Sequence, residues 1–432
     1  MKRKPGFGLL IALLLPVLML SCNRKAGQTV SEDDPRMKKI VVWGWSNSPE
    51  YKSEFVYFKE DTGMDIEIVV TASEDVAPKL QTTLAGGGEL PDIAWIEASF
   101  RGNLLAMDIW EDISAPPYNV DKSQVLDYLV PLETTPSGKW VGPECPSVAG
   151  MAYKRPLAKE YFGTDDPYEL EKLFPTWDAF VQAGIEVQRK SGGKVFMMAT
   201  LNDAATFLCG QTSEPFVIGD KVNLEKSAMP VIERLIQFKK NRIVDQIDAG
   251  SPGENASYTT DEHIFYPCAN WSVVYVIKMN DRNSMGRWGF MLPPEGPFPW
   301  GGTVMGVPTR AINKKGAVTF ITWNFLTEKG ATLERDIMGN FQPWKPLYYE
   351  MENFYSSQDP YFAGQDVLKD ISDRVLPNIG KVRVPTRYDQ DVNQVIGVAV
   401  RSINASNGNS NAGEVVDRMI DDLVNRRSSL SR

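Results

Sequence analysis

Between Lys39 and Glu97 the chain switches back and forth between a strand period and a helix period, and that order restricts its folds more than any other feature. The stretch Lys39 to Lys52 reads KIVVWGWSNSPEYK, an apolar run followed at once by a helix signal. Ser48 can cap the helix, Pro49 suits its first position, and Tyr51, Phe55 and Phe58 recur at helical spacing. Gly63 stops it. Met64 to Val70 then alternates, with Ile66, Ile68 and Val70 on one face, and Ser73 opens a second helix carrying Val76, Leu80 and Leu84. Gly86-Gly87-Gly88 ends that helix before the strand Ile93-Ala94-Trp95-Ile96. Strand, helix, strand, helix, strand implies a parallel sheet with helices on its faces, so the fold class is α/β. Ligands of such sheets bind beyond the carboxyl ends of the strands, where Ser46 to Ser48 and Glu97 to Arg101 both fall. A period of two places Trp43 and Trp45 on one side of the first strand, the earlier toward the core and the later at the rim.

At about 150 residues per domain, a chain of 432 residues makes two or three lobes. Its net charge of -9 and pI near 5.0 exclude a nucleic-acid binder, which relies on clustered Lys and Arg. Residues 1–22 read MKRKPGFGLLIALLLPVLMLSC, a basic start, an apolar run from Phe7 to Leu20 and a small residue before cysteine. That run is about 14 residues against the ~20 needed to span a bilayer, so it reads as a secretory signal. Asn23 to Arg36 is polar, without apolar periodicity, and fits a flexible tether over residues 23–37. Cys145, Cys209 and Cys268 remain, enough for at most one intrachain disulfide in an oxidising compartment. Their spacing matches no zinc motif, and with His263 the only histidine no metal site and no cofactor are expected.

Further helices are expected over Thr176 to Lys190, around Ala317, Phe320, Ile321 and Phe325, and on both sides of the polar break Asn404 to Gly413. Gly86 to Gly88 lacks the Gly-Lys-Ser/Thr ending of a phosphate loop, and Ser191-Gly192-Gly193-Lys194 lacks the upstream glycine; both read as turns. His263 has no Gly-x-Ser-x-Gly elbow beside it and reads as a solvated surface histidine. Paired carboxylates for sugar hydrolysis cannot be picked out from sequence. The tryptophans say more: Trp43, Trp45, Trp95, Trp271, Trp300 and Trp344 include several beside glycine, proline or asparagine. Aromatic faces with polar neighbours suit a ligand that has both C-H faces and hydroxyls, such as a sugar ring, while core packing is the alternative for each.

These pieces, taken in order, resemble the extracellular solute-binding proteins of bacterial ABC importers, in particular the carbohydrate-binding group that includes maltose-binding protein. VVWGW, the helix closing in Asp61-Thr62-Gly63, and Lys79 to Ile93 (KLQTTLAGGGELPDI) are similar to the family's opening segments. Gly138 to Pro143 (GKWVGP) looks like the first crossover between lobes, and Pro175 to Phe180 (PTWDAF) like the helix start that follows. Trp288 to Pro293 (WGFMLP) with Trp300-Gly301-Gly302 resembles the return crossover and its glycine loop. Phe325 to Gly330 (FLTEKG) and Asn340 to Pro343 (NFQP) are also similar to family segments. The chain departs from the pattern at Tyr266-Pro267-Cys268-Ala269, before Trp271, and at Tyr153-Lys154. Leu20-Ser21-Cys22 resembles a lipobox, with Met19 in place of the usual leucine.

The resemblance implies a two-lobe, periplasmic-binding-protein-like α/β fold of type II, with a ligand cleft between lobes and three crossings. It places residues 38–143 and 288–340 in an N-terminal lobe and 144–287 and 341–432 in a C-terminal lobe, with crossings near 139–150, 284–292 and 339–345. Carried over by position, ligand contacts are Trp45, Ser46 and Asn47; Glu97, Ser99 and Arg101; Tyr153 and Trp271; Trp300, Gly301 and Gly302; and Trp344 and Tyr388. Trp43 is assigned to packing. The function implied is non-catalytic binding of a mono- or oligosaccharide outside the cytoplasmic membrane, followed by closed-lobe docking on a permease. The protein would be a monomer anchored by a lipid on Cys22. A polyamine, peptide or metal-chelate ligand on the same fold, or a secreted glycosidase, are the alternatives.

Overall fold

The computed structural model describes residues 34–432, so the signal, Cys22 and most of the tether lie outside the described residues. In chain order the strands are β1 (Lys39–Gly44), β2 (Asp65–Val70), β3 (Ile93–Glu97), β4 (Val148–Lys154), β5 (Met198–Thr200), β6 (Val217–Ile218), β7 (Lys221–Val222), β8 (Val244–Ile247), β9 (Phe265–Ala269), β10 (Trp288–Met291), β11 (Phe298–Pro299) and β12 (Thr303–Gly306). The opening alternation folds as expected. Helices α1 (Pro49–Thr62) and α2 (Ser73–Ala85) connect β1, β2 and β3, which pair in parallel. A shorter helix, α3 (Arg101–Leu105), follows β3. Sheet order is β12-β3-β1-β2, with β12 antiparallel to β3.

Local signals behave mostly as read. Gly63 ends α1 at φ 74° and donates its N–H to the Lys59 carbonyl, a left-handed cap that glycine adopts without strain. Ser48 precedes α1 but makes no capping hydrogen bond, and Ser73 is the first residue of α2 with Ala72 at the cap. Phe58, Val76 and Leu80 are buried, each contributing about 1.5–3 kcal/mol of apolar burial. Val70 is exposed at the end of edge strand β2, while Ile66 and Ile68 of its face pack on the α1 side and Val69 packs on the opposite, α2 side. Asp92 anchors the start of β3, accepting from the N–H of Val41 at 2.9 Å and of Asn313 at 2.6 Å.

Trp43 and Trp45 do not share a face. β1 ends at Gly44, so the period of two stops before Trp45. Trp43 packs with Val76 and Leu80 on the α2 side, under the Lys79 ammonium at 4.0 Å from the ring centre. Trp45 packs on the α1 side.

A second sheet is built around β4, antiparallel to β9, β10 and β11, with β5 and β8 as a separate parallel pair and β6 and β7 as a short antiparallel one. Its core joins Met151, Phe180, Phe207, Phe238 and Phe265 to Val392, Val395 and Leu423 of the last two helices, Asp389–Ala405 and Ala412–Arg426. The helices expected near 176–190 and 317–325 are Trp177–Ser191 and Lys314–Phe325. The return between sheets falls later than residues 284–292. Trp288 to Met291 pair with Lys154 to Met151, and Thr303 is the first residue back in the β1 sheet. The reason is burial: Trp288 and Phe290 are fully enclosed beside β4, so leaving that sheet earlier would expose them. Nor does 341 mark a clean division, since Leu126 N–H donates to the Pro343 carbonyl and Lys345 N–H to that of Gln124.

Candidate functional site

The carboxyl ends of β1 and β3 and the start of β12 meet at one edge. Thr303 lies opposite Glu97, and Ala98 N–H donates to the Gly302 carbonyl at 3.0 Å. That single edge therefore gathers Trp45, Ser46 and Asn47, the Glu97 loop and the glycine loop. Trp45 and Tyr51 flank Trp95, with ring centroids 5.0 and 5.2 Å from it. Gly44 makes this possible: a Cβ there would lie 2.6 Å from the Trp95 ring. Glu97 is half-buried, and its carboxylate accepts from the exposed Ser99 N–H at 2.9 Å, so the loop tip is closed on itself.

The glycine loop carries a second aromatic group to the same edge. Trp271 and Trp300 lie 4.9 Å apart, and Trp271 Nε1 donates to the Trp300 carbonyl at 3.1 Å. Gly301 and Gly302 have φ of 96° and 107°, open to glycine and rarely to other residues. There is also no room for a side chain: a Cβ on Gly301 would sit 2.9 Å from Trp271 Nε1, and one on Gly302 would run into the Glu144 carboxylate.

Glu144 is the residue the sequence did not mark. It holds Arg101 in a buried bidentate pair, with Nη1 to Oε1 at 2.9 Å and Nη2 on Oε2. Arg101 is thus enclosed and committed to Glu144, a correction to its expected role as a ligand donor. Glu133 sits behind them, accepting from Trp140 Nε1 at 2.8 Å and from Glu144 N–H at 2.7 Å. Burial, with the Glu144 charge next, pushes Glu133 well above the ordinary carboxylate range. Burial also raises Glu144, against the pull of Arg101. Two enclosed carboxylates share the field of one guanidinium, which bonds Glu144 alone, so burial disfavours the charged form of both.

A second acidic pair flanks Tyr51. Asn324 Nδ2 donates to both Glu54 and Glu334, the latter at 3.3 Å, and Asn340 Nδ2 donates to Glu334 Oε2 at 2.9 Å. Neither carboxylate has a cationic partner among the described residues, and burial raises both. Tyr275, on the π-helical turn Val273–Lys278 that follows Trp271, is raised by burial and then by Glu334 and Glu50. Val274 and Tyr275 are exposed on this turn. At the site edge Trp95 Nε1, Arg101 Nε and Asn270 Oδ1 are buried without a hydrogen-bond partner. No sequence signal marked Tyr275 or Asn270; Trp95 was flagged only as one of several tryptophans.

Other expected contacts lie elsewhere. Tyr153 is enclosed in the second core beside Phe265, its hydroxyl donating to the Asp165 carbonyl at 2.6 Å. Tyr388 is buried in that core, donating to Asp220 Oδ1 at 2.5 Å. Both are corrections, and the cause is the same: each ring fills the core while its hydroxyl reaches a local acceptor. Trp344 is half-buried and donates Nε1 to Gln124 Oε1 at 3.0 Å. His263 is not a surface residue. It is enclosed, stacked on Phe196, with Nε2 2.9 Å from the Asp245 carboxylate. Cys145, Cys209 and Cys268 are free thiols, and no cluster of three or more His, Cys, Asp or Glu residues suited to a metal is found among the described residues.

Residues 55–359 match the family described as bacterial extracellular solute-binding protein. The lactose-binding protein of Rhizobium radiobacter is 21% identical over 363 residues, covering 78% of this chain and 81% of the relative. A crystal structure described as extracellular solute-binding protein family 1 superposes with a TM-score of 0.78 at 20% identity, covering 90% of this chain and 99% of that one. The binding protein of an ABC transporter from B. animalis subsp. lactis Bl-04, solved with β-1,6-galactobiose, has a TM-score of 0.69 at 16% identity and covers 91% and 98%. At these identities the structural likeness establishes the fold, the two-lobe α/β binding-protein class.

Proposed function

The chain belongs to the bacterial extracellular solute-binding protein family, and on that premise we propose that it binds a carbohydrate, mono- or oligosaccharide, outside the cytoplasmic membrane and delivers it to an ABC permease. The observation that carries the choice of ligand is the meeting at one edge of two aromatic groups, Trp45-Trp95-Tyr51 and Trp271-Trp300, with Glu97 beside them. Ring faces stack on the C-H faces of a sugar, and a half-exposed carboxylate accepts from paired hydroxyls. The lactose and galactobiose binders among the similar proteins support a galactoside as the first sugar to try.

In this reading the lobes close on the sugar, and the ligand shifts an open and closed equilibrium by touching both. The N-terminal lobe comprises residues 38–143 and 303–340, and the C-terminal lobe takes β4 to β11 and the last two helices. Ser46, Asn47, Ser99, Gly301, Gly302 and Trp344 complete the seat. The protein performs no catalysis, acts as a monomer and is held at the membrane by a lipid on Cys22.

The test titrates purified residues 23–432 with lactose, β-1,6-galactobiose, maltose, spermidine and a tripeptide, following tryptophan fluorescence and thermal midpoint. A saturable response to a sugar is expected. A response to spermidine or peptide with none to any sugar overturns the ligand class. Palmitate incorporation by the full chain, absent in Cys22→Ala, tests the anchor.

A further inference from the structure

α3 lies between two packed bodies. Its Leu104 and Leu105 belong to the core beneath the first sheet, with Ile96 and Trp110. Its outer side meets the segment that starts the helix Asp389–Ala405, whose Tyr388, Val392 and Val395 belong to the other core. Two contacts join them. Gly102 is buried against Thr386 so closely that a Cβ would overlap the Thr386 carbonyl oxygen and stand 3.2 Å from its nitrogen. Asn103 Nδ2 donates to Gln390 Oε1 at 2.8 Å, between residues 287 apart in sequence.

Gly102 sits in a short helix, and its φ lies outside the left-handed region, so its backbone does not demand glycine. Space does. The three atoms nearest to such a Cβ all belong to Thr386, so it is the close approach of the other body that excludes a side chain here. The contact is also tied to the site. Arg101, one residue before Gly102, is held by Glu144, whose carboxylate abuts Gly302 of the ligand loop. On the far side, Thr386 Oγ1 donates to Asp389 Oδ1 at 2.6 Å and Arg383 Nη1 to Asp389 Oδ2 at 3.0 Å, which fixes the turn that presents the Thr386 carbonyl.

We propose that Gly102 with Thr386 and Asn103 with Gln390 form a latch that holds the closed form and so sets how long the ligand is retained, without touching it. This rests on the binding-protein reading above. A latch made only in the closed form raises apparent affinity by raising the closed fraction, and its loss speeds ligand release. Removing a single neutral hydrogen bond of this kind weakens apparent affinity about three- to tenfold.

The experiment has two arms on residues 23–432. Small-angle X-ray scattering without ligand compares wild type, Gly102→Val and Gln390→Ala, each first confirmed as folded by circular dichroism. Gly102→Val is expected to increase the radius of gyration, Gln390→Ala by less. Scattering curves that superpose for all three overturn the latch, whether or not any sugar binds. Stopped-flow release of lactose is then measured for Asn103→Ala, Gln390→Ala and the double variant. Faster release in each, with the double variant no worse than the singles, is the expected result, and additive or unchanged rates overturn it. Failure of wild type to bind lactose counts against the galactoside reading alone, because the scattering arm needs no ligand.

Discussion

The ring of Trp45 stands edge to face against that of Trp95, centroids 5.0 Å apart and planes at 73°, on the α1 side of the first sheet. Trp43, two residues earlier, is buried on the α2 side. The two tryptophans therefore answer differently to truncation. Trp43→Ala is expected to cost about 3–5 kcal/mol of stability with the affinity of the folded fraction unchanged. Trp45→Ala should weaken sugar binding roughly tenfold or more at a smaller cost in stability. Urea unfolding paired with ligand titration separates them, and the reverse pattern would place the rim at Trp43.

Arg101 gives a second outcome. Arg101→Ala strands Glu144 and Glu133 in the interior without a cation and should destabilise by about 3–5 kcal/mol. Adding Glu144→Gln should recover part of the loss, since the remaining carboxyl can hold its own proton. A double variant less stable than Arg101→Ala would show that the ion pair is not the main interaction.

Glu54 and Glu334 predict a pH dependence. Their folded-state values lie above the ordinary 4.5, so their contribution is intact below that value and is lost as pH rises through the raised range. Glu54→Gln keeps the amide geometry to Asn324 and cannot ionise. It should gain about 1 kcal/mol over wild type at pH 8 and nothing at pH 4, read from thermal midpoints across that range. An equal gain at both pH values would rule out ionisation as the cause.

Lys154 carries the opposite sign. Its Nζ donates to the carbonyls of Ser257 and Thr260, both at 2.6 Å, and to Tyr266 Oη at 3.1 Å, and the side chain is enclosed. Burial, with Arg287 next, lowers its value from 10.5 to about 7. Between those values the unfolded chain holds a proton that the folded chain has released, so stability rises with pH across that window. Lys154→Met should remove this slope, whatever it costs in lost hydrogen bonds. Persistence of the same slope in the variant would assign it to another group.

Much of the first sheet was legible because its signals are local. The spacing of Tyr51, Phe55 and Phe58, the stop at Gly63 and the helix before Gly86 each depend on a few neighbouring residues, and each appears in the structure with boundaries shifted by a residue at most. The grouping of the candidate residues was legible in part. Trp45, Glu97, Trp271, Trp300, Gly301 and Gly302 come together at one edge, whereas Tyr153 and Tyr388 are core residues with local hydroxyl partners. Glu54 lies in a helix whose pattern reads as ordinary, and nothing near it in sequence signals a buried carboxylate.

By itself, then, the sequence determined the α/β alternation, the turns at its glycines and the presence of aromatics with polar neighbours at the strand ends. Only the tertiary structure decided which face Trp45 takes, that Arg101 is spent on Glu144, where the chain returns to the first sheet, and that Glu54 meets Asn324 from 270 residues away. The division has a physical cause. Helix and strand periods repeat within a few residues, whereas an ion pair, a buried acid or a close glycine contact exists only after distant segments have packed together.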